Sequence, residues 1–223
     1  MSERFVQIAI DGPAGAGKST VARKLSERLG ILYLDTGAMY RAFALFCLRE
    51  GAGTAPGDDE IDRLFSRFGL EFTDGKILLN GEDISSEIRT PEIDRAVSPV
   101  SAIAHVRERM VELQKRIASD RGIVMEGRDI CAVVLPDARY KFYLDASVEE
   151  RARRRFEQNA AAGRPGTLEE IKEDIIRRDR ADSTREAAPL KVSEDAEVID
   201  TTGLSLEEVV EKIVSAVEEG EKE

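Results

Sequence analysis

The chain has 223 residues, 42% of them hydrophobic and 35% charged, with a formal net charge of −11. That length supports one large domain, or a core domain with an insertion, and the acidity argues against a nucleic-acid polymer or an anionic membrane surface as partner. Two cysteines (Cys47 and Cys131) exclude a disulfide framework, and a single histidine, His105, excludes His-rich metal or triad chemistry.

From the N-terminus, the apolar run Val6 to Asp11 predicts a buried strand. Gly12-Pro13-Ala14-Gly15-Ala16-Gly17-Lys18-Ser19 follows at once and fits G-x-x-x-x-G-K-[ST]. A helix with Val21, Leu25 and Leu29, ending at Gly30, comes next. Strand, glycine-rich loop and helix are what phosphate binding needs. Backbone N–H groups of residues Gly12 to Thr20 and the helix N-terminus cradle phosphates, Lys18 neutralises the β- and γ-phosphates, and Ser19 reaches Mg²⁺. The segment predicts a site for a nucleoside triphosphate. Neither an Asn-Lys-x-Asp guanine-reading element nor a Ser-Gly-Gly-Gln transporter signature occurs in the chain, which disfavours a GTPase switch and a transport ATPase.

A second strand, Ile31 to Asp35, leads into Thr36-Gly37-Ala38-Met39-Tyr40-Arg41. Residues 57–94 break the rhythm with a short helical segment, then Leu70–Thr73, Lys76–Leu79 and a Gly-containing turn, resembling a small β-meander. This stretch is expected to be an α+β insertion on a core of residues 1–56 and 95–223. Ser98-Pro99 is expected at a helix start, and Ile103, Met110 and Val111 are expected on the buried side of the helix that carries Arg107. His105 reads as an ordinary surface or boundary residue. The third strand, Gly122 to Glu126, ends in a carboxylate followed by Gly127-Arg128-Asp129. At the C-terminal end of a parallel strand, Glu126 is placed to hold Mg²⁺ through water, although a carboxylate capping a loop is the simpler alternative. Cys131 is expected to line the crevice.

Tyr140 to Asp145 predicts a fourth strand, and Ser147 with Glu150 a capping box. The helix after it carries Arg151, Arg153, Arg154 and Arg155, and Ala160-Ala161-Ala162-Gly163-Arg164-Pro165-Gly166 makes a small-residue turn before a helix capped by Thr167 and Glu170. Residues 150–166 are expected to form a helical lid whose Arg151 and Arg155 stabilise charge on the transferred phosphoryl group. A solvated face paired with Glu149, Glu150 and Glu157 is the alternative. In Arg177 to Arg185, the residues Arg178, Asp182 and Arg185 fall at helical spacing, and either a ribose- and phosphate-binding set or an ion-pair network fits. Glu197 to Thr201 predicts the fifth strand; Ser205 and Glu208 then cap a helix with Leu206, Val209, Val210, Ile213, Val214 and Val217 on one face. Alternation of strands and helices predicts an α/β fold with a five-stranded parallel sheet flanked by helices.

These segments together resemble the bacterial cytidylate kinase family of the nucleoside monophosphate kinase superfamily, over nearly the whole chain. The likeness rests on Ile10 to Thr20, Leu34 to Arg41, Ile88-Arg89-Thr90, Gly127-Arg128-Asp129, Phe142 to Ser147 and Ala188-Pro189-Leu190. It implies phosphoryl transfer from ATP, with Mg²⁺, to CMP or dCMP. It further implies that Thr36, Arg41 and Arg128 lie near the acceptor phosphate, and that Ser98, Arg107 and Asp129 read the cytosine. Arg178, Asp182 and Arg185 would contact ribose and phosphate, and Arg151 and Arg155 would match lid arginines. Lys18, Arg128, Arg151, Arg155 and Arg185 are the expected catalytic set. Thr36 stands where the family often has Ser, and Glu126 where Asp is common; hydroxyl and carboxylate are kept. The chain is expected to be a cytoplasmic monomer without membrane or nucleic-acid partners. A kinase for another monophosphate or small metabolite, and a nucleotide-sensing regulator, are the alternatives.

The charge is unevenly spread. Residues 57–94 hold four basic and eleven acidic groups, and residues 207–223 hold two and seven, so the remainder carries a net charge of only +1. The acidity therefore does not exclude a mononucleotide.

Overall fold

A computed structural model describes residues 5–73, 75–161, 163 and 166–222. Within the expected lid turn, Ala162, Arg164 and Pro165 lie outside the described residues, as does Glu223 in the acidic tail. The chain divides into two compact units, residues 1–33 with 120–223, and residues 34–119. The second unit is wider than the 57–94 insertion.

The five expected strands form β1 (Gln7–Asp11), β2 (Leu32–Asp35), β6 (Ile123–Gly127), β7 (Tyr140–Asp145) and β8 (Glu197–Asp200). They make one parallel sheet in the order β2-β6-β1-β7-β8. The central strand β1 is paired on both edges and covered on both faces: Ile8, Ala9 and Ile10 are wholly buried, which explains the unbroken apolar run. Helix α1 (Lys18–Leu29) packs on β6 and on α8 (Leu206–Gly220). Val21, Ala22 and Leu25 of α1 meet Val210, Ile213, Val214 and Val217 of α8 in the same core as β1 and β7. Gly30 ends α1 in the left-handed conformation.

Both α8 and α7 (Leu168–Thr184) begin with complete capping boxes, Ser205/Glu208 and Thr167/Glu170. At α6 (Val148–Ala161) only half of the expected box forms. Ser147 Oγ accepts from the Glu150 N–H at 3.2 Å, but the Glu150 carboxylate turns to Arg153 and Arg154, and the Ser147 N–H donates to Thr202 Oγ1 instead. The charge-assisted pairs outcompete the neutral reciprocal bond.

In the second unit, α2 (Thr36–Arg49) is buried nearly all round. Phe43 stacks on Phe65 at 4.2 Å between centroids and meets Phe68 edge-on, tying α3 (Asp58–Phe65) to α2. The expected meander is a three-stranded antiparallel sheet of β3 (Leu70–Thr73), β4 (Lys76–Leu79) and β5 (Glu82–Asp83). Asn80 and Gly81 join β4 to β5 with φ of 50° and 85°, as a tight hairpin turn requires.

Two helical expectations are corrected. Helix α4 runs Pro91–Ala102 and starts at the Thr90 cap with Pro91 in its first turn, so Ser98 and Pro99 lie inside it and Ser98 caps nothing. Pro99 lacks the N–H for one helical bond, and α4 stops soon after, at Ala102. In α5 (Ala104–Ala118) Met110 is buried as expected, but its companions are Val106, Arg107, Gln114 and Ala118, while Ile103 and Val111 are only partly buried. The apolar pattern misled because two of its five positions are polar.

Candidate active site

The loop after β1 is shaped by contacts that only glycine tolerates. Gly12 has φ of 148°, and a Cβ there would stand 2.0 Å from the Leu144 carbonyl oxygen of β7. The chain therefore leaves β1 against β7 and turns into α1 with Lys18 as its first residue. Lys18 is 5% exposed and its ammonium donates to the Pro13 carbonyl at 2.8 Å, across the mouth of the loop. Burial first, and then the neighbouring Arg128 guanidinium, pull its pKa down to about 7, against the attraction of Glu126, Asp11 and Asp182.

Ser19, one residue on, donates from its hydroxyl to Oε1 of Glu126 at the end of β6. Tyr33 donates to the same oxygen at 3.2 Å. Glu126 is buried, and its register partner on β1 is Ile10, which brings the end of β6 level with the start of the loop. A hydroxyl and one carboxylate, without nitrogen or sulfur, suit a hard divalent cation that takes its remaining ligands from water and phosphate. Among the described residues no group of three or more His, Cys, Asp or Glu could hold a metal by itself.

Past β6, the chain forms one π-helical turn, Ile130–Val134, held by a residue not singled out in the sequence. Asp11, at the end of β1, accepts from the N–H groups of Ile130 at 2.9 Å and Cys131 at 2.8 Å. Burial raises its pKa, against those two bonds. This fixes Arg128 and Asp129 beside the loop. Arg128 Nε donates to Asp182 at 2.8 Å, and Arg185 lies 3.8 Å from both Asp129 and Asp182. Asp129, Arg128, Asp182 and Arg185 thus come together. Helix α7 reaches Thr184, so Arg178 and Asp182 are helical while Arg185 is its cap residue. Arg178 pairs with Asp174 at 3.4 Å, one turn back. Cys131 does not line a crevice: it is 1% exposed, its thiol facing the Ala9 and Phe142 carbonyls.

The arginines of α6 separate by environment. Arg153 is exposed and paired with Glu150 at 2.8 Å and Glu157 at 2.5 Å, the solvated-face alternative. Arg155 is half-buried and donates to Gln158 at 3.0 Å. Arg151, expected on the lid's working face, is 5% exposed and occupied with the carbonyls of Ala146 and Ala14 and with Asp179. Burial among those acceptors, not helical spacing, decided its direction. Arg154 donates to the Thr201 carbonyl at 2.7 Å and the Thr201 hydroxyl at 3.0 Å, beside Gly17. A cavity of about 210 Å³ opens there, walled by Gly17, Thr20, Val21, Arg154, Leu204 and Val209. Arg154 and Asp179 had no sequence signal beyond membership of mixed-charge runs.

In the second unit, Thr36 is the first residue of α2 and is buried; Asp35 caps the helix by accepting from the Ala38 N–H at 2.8 Å. Arg41 pairs with Asp94 at 2.6 Å and donates to the Ile88 carbonyl at 3.3 Å. Arg107 is 4% exposed, donates to the Ser101 carbonyl at 3.2 Å and lies 5.4 Å from the centre of the Tyr40 ring. Ser98 is exposed on α4. His105 bridges Asp62 at 3.0 Å and Glu108 at 3.3 Å, as a boundary residue would.

The family model described as cytidylate kinase matches residues 8–219. The chain belongs to the cytidylate kinase family. A cytidylate kinase of Pelotomaculum thermopropionicum is 51% identical, covering 98% of this chain and 99% of its own length. Another cytidylate kinase, of Caldanaerobacter subterraneus subsp. tengcongensis, is 49% identical over 97% of this chain and 96% of its own. The crystal structure of an uncharacterised protein from Eubacterium ventriosum shares the fold, with a TM-score of 0.54 at 12% identity, covering 96% of this chain and 98% of that one.

Proposed function

We propose that the chain transfers the γ-phosphoryl group of ATP to CMP or dCMP, giving ADP and CDP or dCDP. The observation that carries this reading is end-to-end similarity to cytidylate kinases in a chain whose Lys18, Ser19 and Glu126 meet at the head of a phosphate-binding loop. The adenine of ATP fits the cavity beside Gly17, and the triphosphate follows the loop N–H groups from Gly15 to Thr20 at Lys18. Phosphate charge restores the proton that burial withdraws from Lys18.

Ser19 and Glu126 are the residues that would hold Mg²⁺, Glu126 through water. The ion supplies charge neutralisation of the phosphates. An acceptor phosphate oxygen attacks the γ-phosphorus, the bond to the β–γ bridging oxygen breaks, and ADP leaves with that oxygen; no covalent enzyme intermediate is needed. Lys18, Arg128 and Arg185 stabilise charge on the transferring group, with Arg155 contributing from the α6–α7 hairpin acting as a lid. Arg128 and Arg185 are held ready by Asp182 and Asp129.

For the acceptor, Thr36 and Arg41 serve its phosphate at the N-terminal end of α2, where helix N–H groups favour an anion. Ser98, Arg107 and Asp129 read the cytosine, and Arg178, Asp182 and Arg185 engage ribose and phosphate. Residues 57–94 act as the monophosphate-binding insertion. The enzyme works as a cytoplasmic monomer on small molecules; among the described residues no helix is long and apolar enough to cross a membrane. Incubation of ATP, Mg²⁺ and CMP followed by anion-exchange separation tests the reaction. Equal amounts of ADP and CDP are expected, and ADP formed without CDP would refute it.

A further inference from the structure

The loop's crown is held by two side chains that phosphate transfer itself does not require. The Ala14 N–H donates to Oδ1 of Asp179 at 3.2 Å, and the Ala14 carbonyl accepts from Nη1 of Arg151 at 3.0 Å. Arg151 and Asp179 are themselves ion-paired at 2.5 Å, and Arg151 Nε is anchored on the Ala146 carbonyl at 2.9 Å. Both peptide groups of one loop residue are thus closed into a ring by one side chain from α6 and one from α7. Packing agrees: Gly15 has φ of 81°, and a Cβ there would come within 3.1 Å of Arg151 Cβ and 3.2 Å of its carbonyl oxygen. Loop and hairpin therefore touch backbone to backbone.

We propose that Arg151 and Asp179 are a positioning pair that clasps Ala14 and holds the phosphate loop open for the triphosphate before it arrives. A glycine-rich loop is free to collapse or wander when empty, and fixing it beforehand removes that ordering cost from binding. With Nε and Nη1 engaged by Ala146, Ala14 and Asp179, Arg151 acts through the loop rather than on the phosphoryl group, and Asp179 sets its orientation.

This inference rests on the ATP-binding half of the proposed function, so its test reads ATP binding alone, without an acceptor. Binding of MgATP to Asp179→Ala, Arg151→Met and the double variant is measured by calorimetry, with circular dichroism to confirm folding. Each single change is expected to raise Kd by about tenfold, and the double change by about the same factor, since either loss opens the ring. Single variants that fold and bind within about twofold of the parent, or a double variant whose effect is the product of the two, would overturn the clasp. Amide exchange in the unaltered protein gives a second reading that needs no variant. The Ala14 N–H is expected to exchange about a hundredfold slower than an open loop amide, and exchange at the open-loop rate would overturn it. Normal MgATP binding with no CMP turnover would instead refute the proposed reaction while leaving the clasp standing.

Discussion

The Ser19 hydroxyl donates to the carboxylate of Glu126, 107 residues further along the chain, and this bond joins the first turn of α1 to the end of β6. It couples the motif that binds phosphate to the strand that carries the carboxylate. The two oxygens are the pair through which Mg²⁺ would be held. Glu126→Gln keeps the volume and removes the charge, and is expected to raise the Mg²⁺ concentration for half-maximal turnover by about tenfold or more. A magnesium titration checks this, and an unchanged midpoint would contradict it.

Lys18 gives a pH dependence with a definite sign. Its ordinary value of 10.5 is lowered to about 7 by burial and by Arg128. Below pH 7 the free protein already carries the Lys18 proton; above it, the incoming triphosphate must draw one from solvent. ATP affinity is therefore expected to fall as pH rises from about 7 to 9, with uptake of close to one proton per site at pH 8. Calorimetry in buffers of different ionisation enthalpy measures that uptake. In the empty protein, the unfolded chain holds the Lys18 proton more tightly between about pH 7 and 10.5, so this group's contribution makes stability rise with pH there.

Much of the fold was legible because its central strands β1 and β6 are buried on both faces and its loops carry strong signals. Val6 to Asp11 reads as a strand since side chains on both faces of β1 are buried, and Gly12 to Ser19 reads as a phosphate loop since chemistry fixes both composition and spacing. Ser205/Glu208 formed the expected box, but Ser147/Glu150 did not, because Arg153 and Arg154 compete for the same carboxylate. The site was legible at Lys18, Ser19 and Glu126, which are local to motifs. It was not legible at Asp11 or Asp179, whose partners are backbone N–H groups far away in sequence. Arg151 and Arg153 lie on opposite sides of α6, and nothing in the run of arginines says which side is buried against Ala14 and which is paired in solvent. Only tertiary burial separates them.

Asp182 holds Arg128 by a bond of 2.8 Å, and both are proposed to face the acceptor. Asp182→Asn is expected to raise KM for CMP by about tenfold and leave the Kd of MgATP within about twofold. Initial rates and ATP calorimetry together check the split. Equal losses for both nucleotides would place Asp182 in the donor site instead.

The cysteines offer a probe of folding. Burial, with Glu60 adding to it, pushes the Cys47 thiol up to about 12, and burial with Asp11 raises that of Cys131. Thiolate is the reactive form, so neither should react with an alkylating reagent at pH 8 while the protein is folded, and both should react in denaturant. Mass spectrometry of timed samples checks this; fast labelling of native protein would contradict the packing.

Ser205→Ala removes the cap of α8. Stability is expected to fall by about 1 kcal/mol, read as a shift in the denaturant midpoint. A midpoint unchanged from the parent would show that the box contributes nothing to α8.

The central claim is tested most directly by initial rates of ADP release with ATP, Mg²⁺ and a panel of nucleoside monophosphates. CMP and dCMP are expected to raise the rate far above ATP alone, with Lys18→Met lowering CMP-dependent turnover by about a hundredfold or more in a folded protein. ADP release indifferent to CMP, or driven by another monophosphate in its place, would contradict the account.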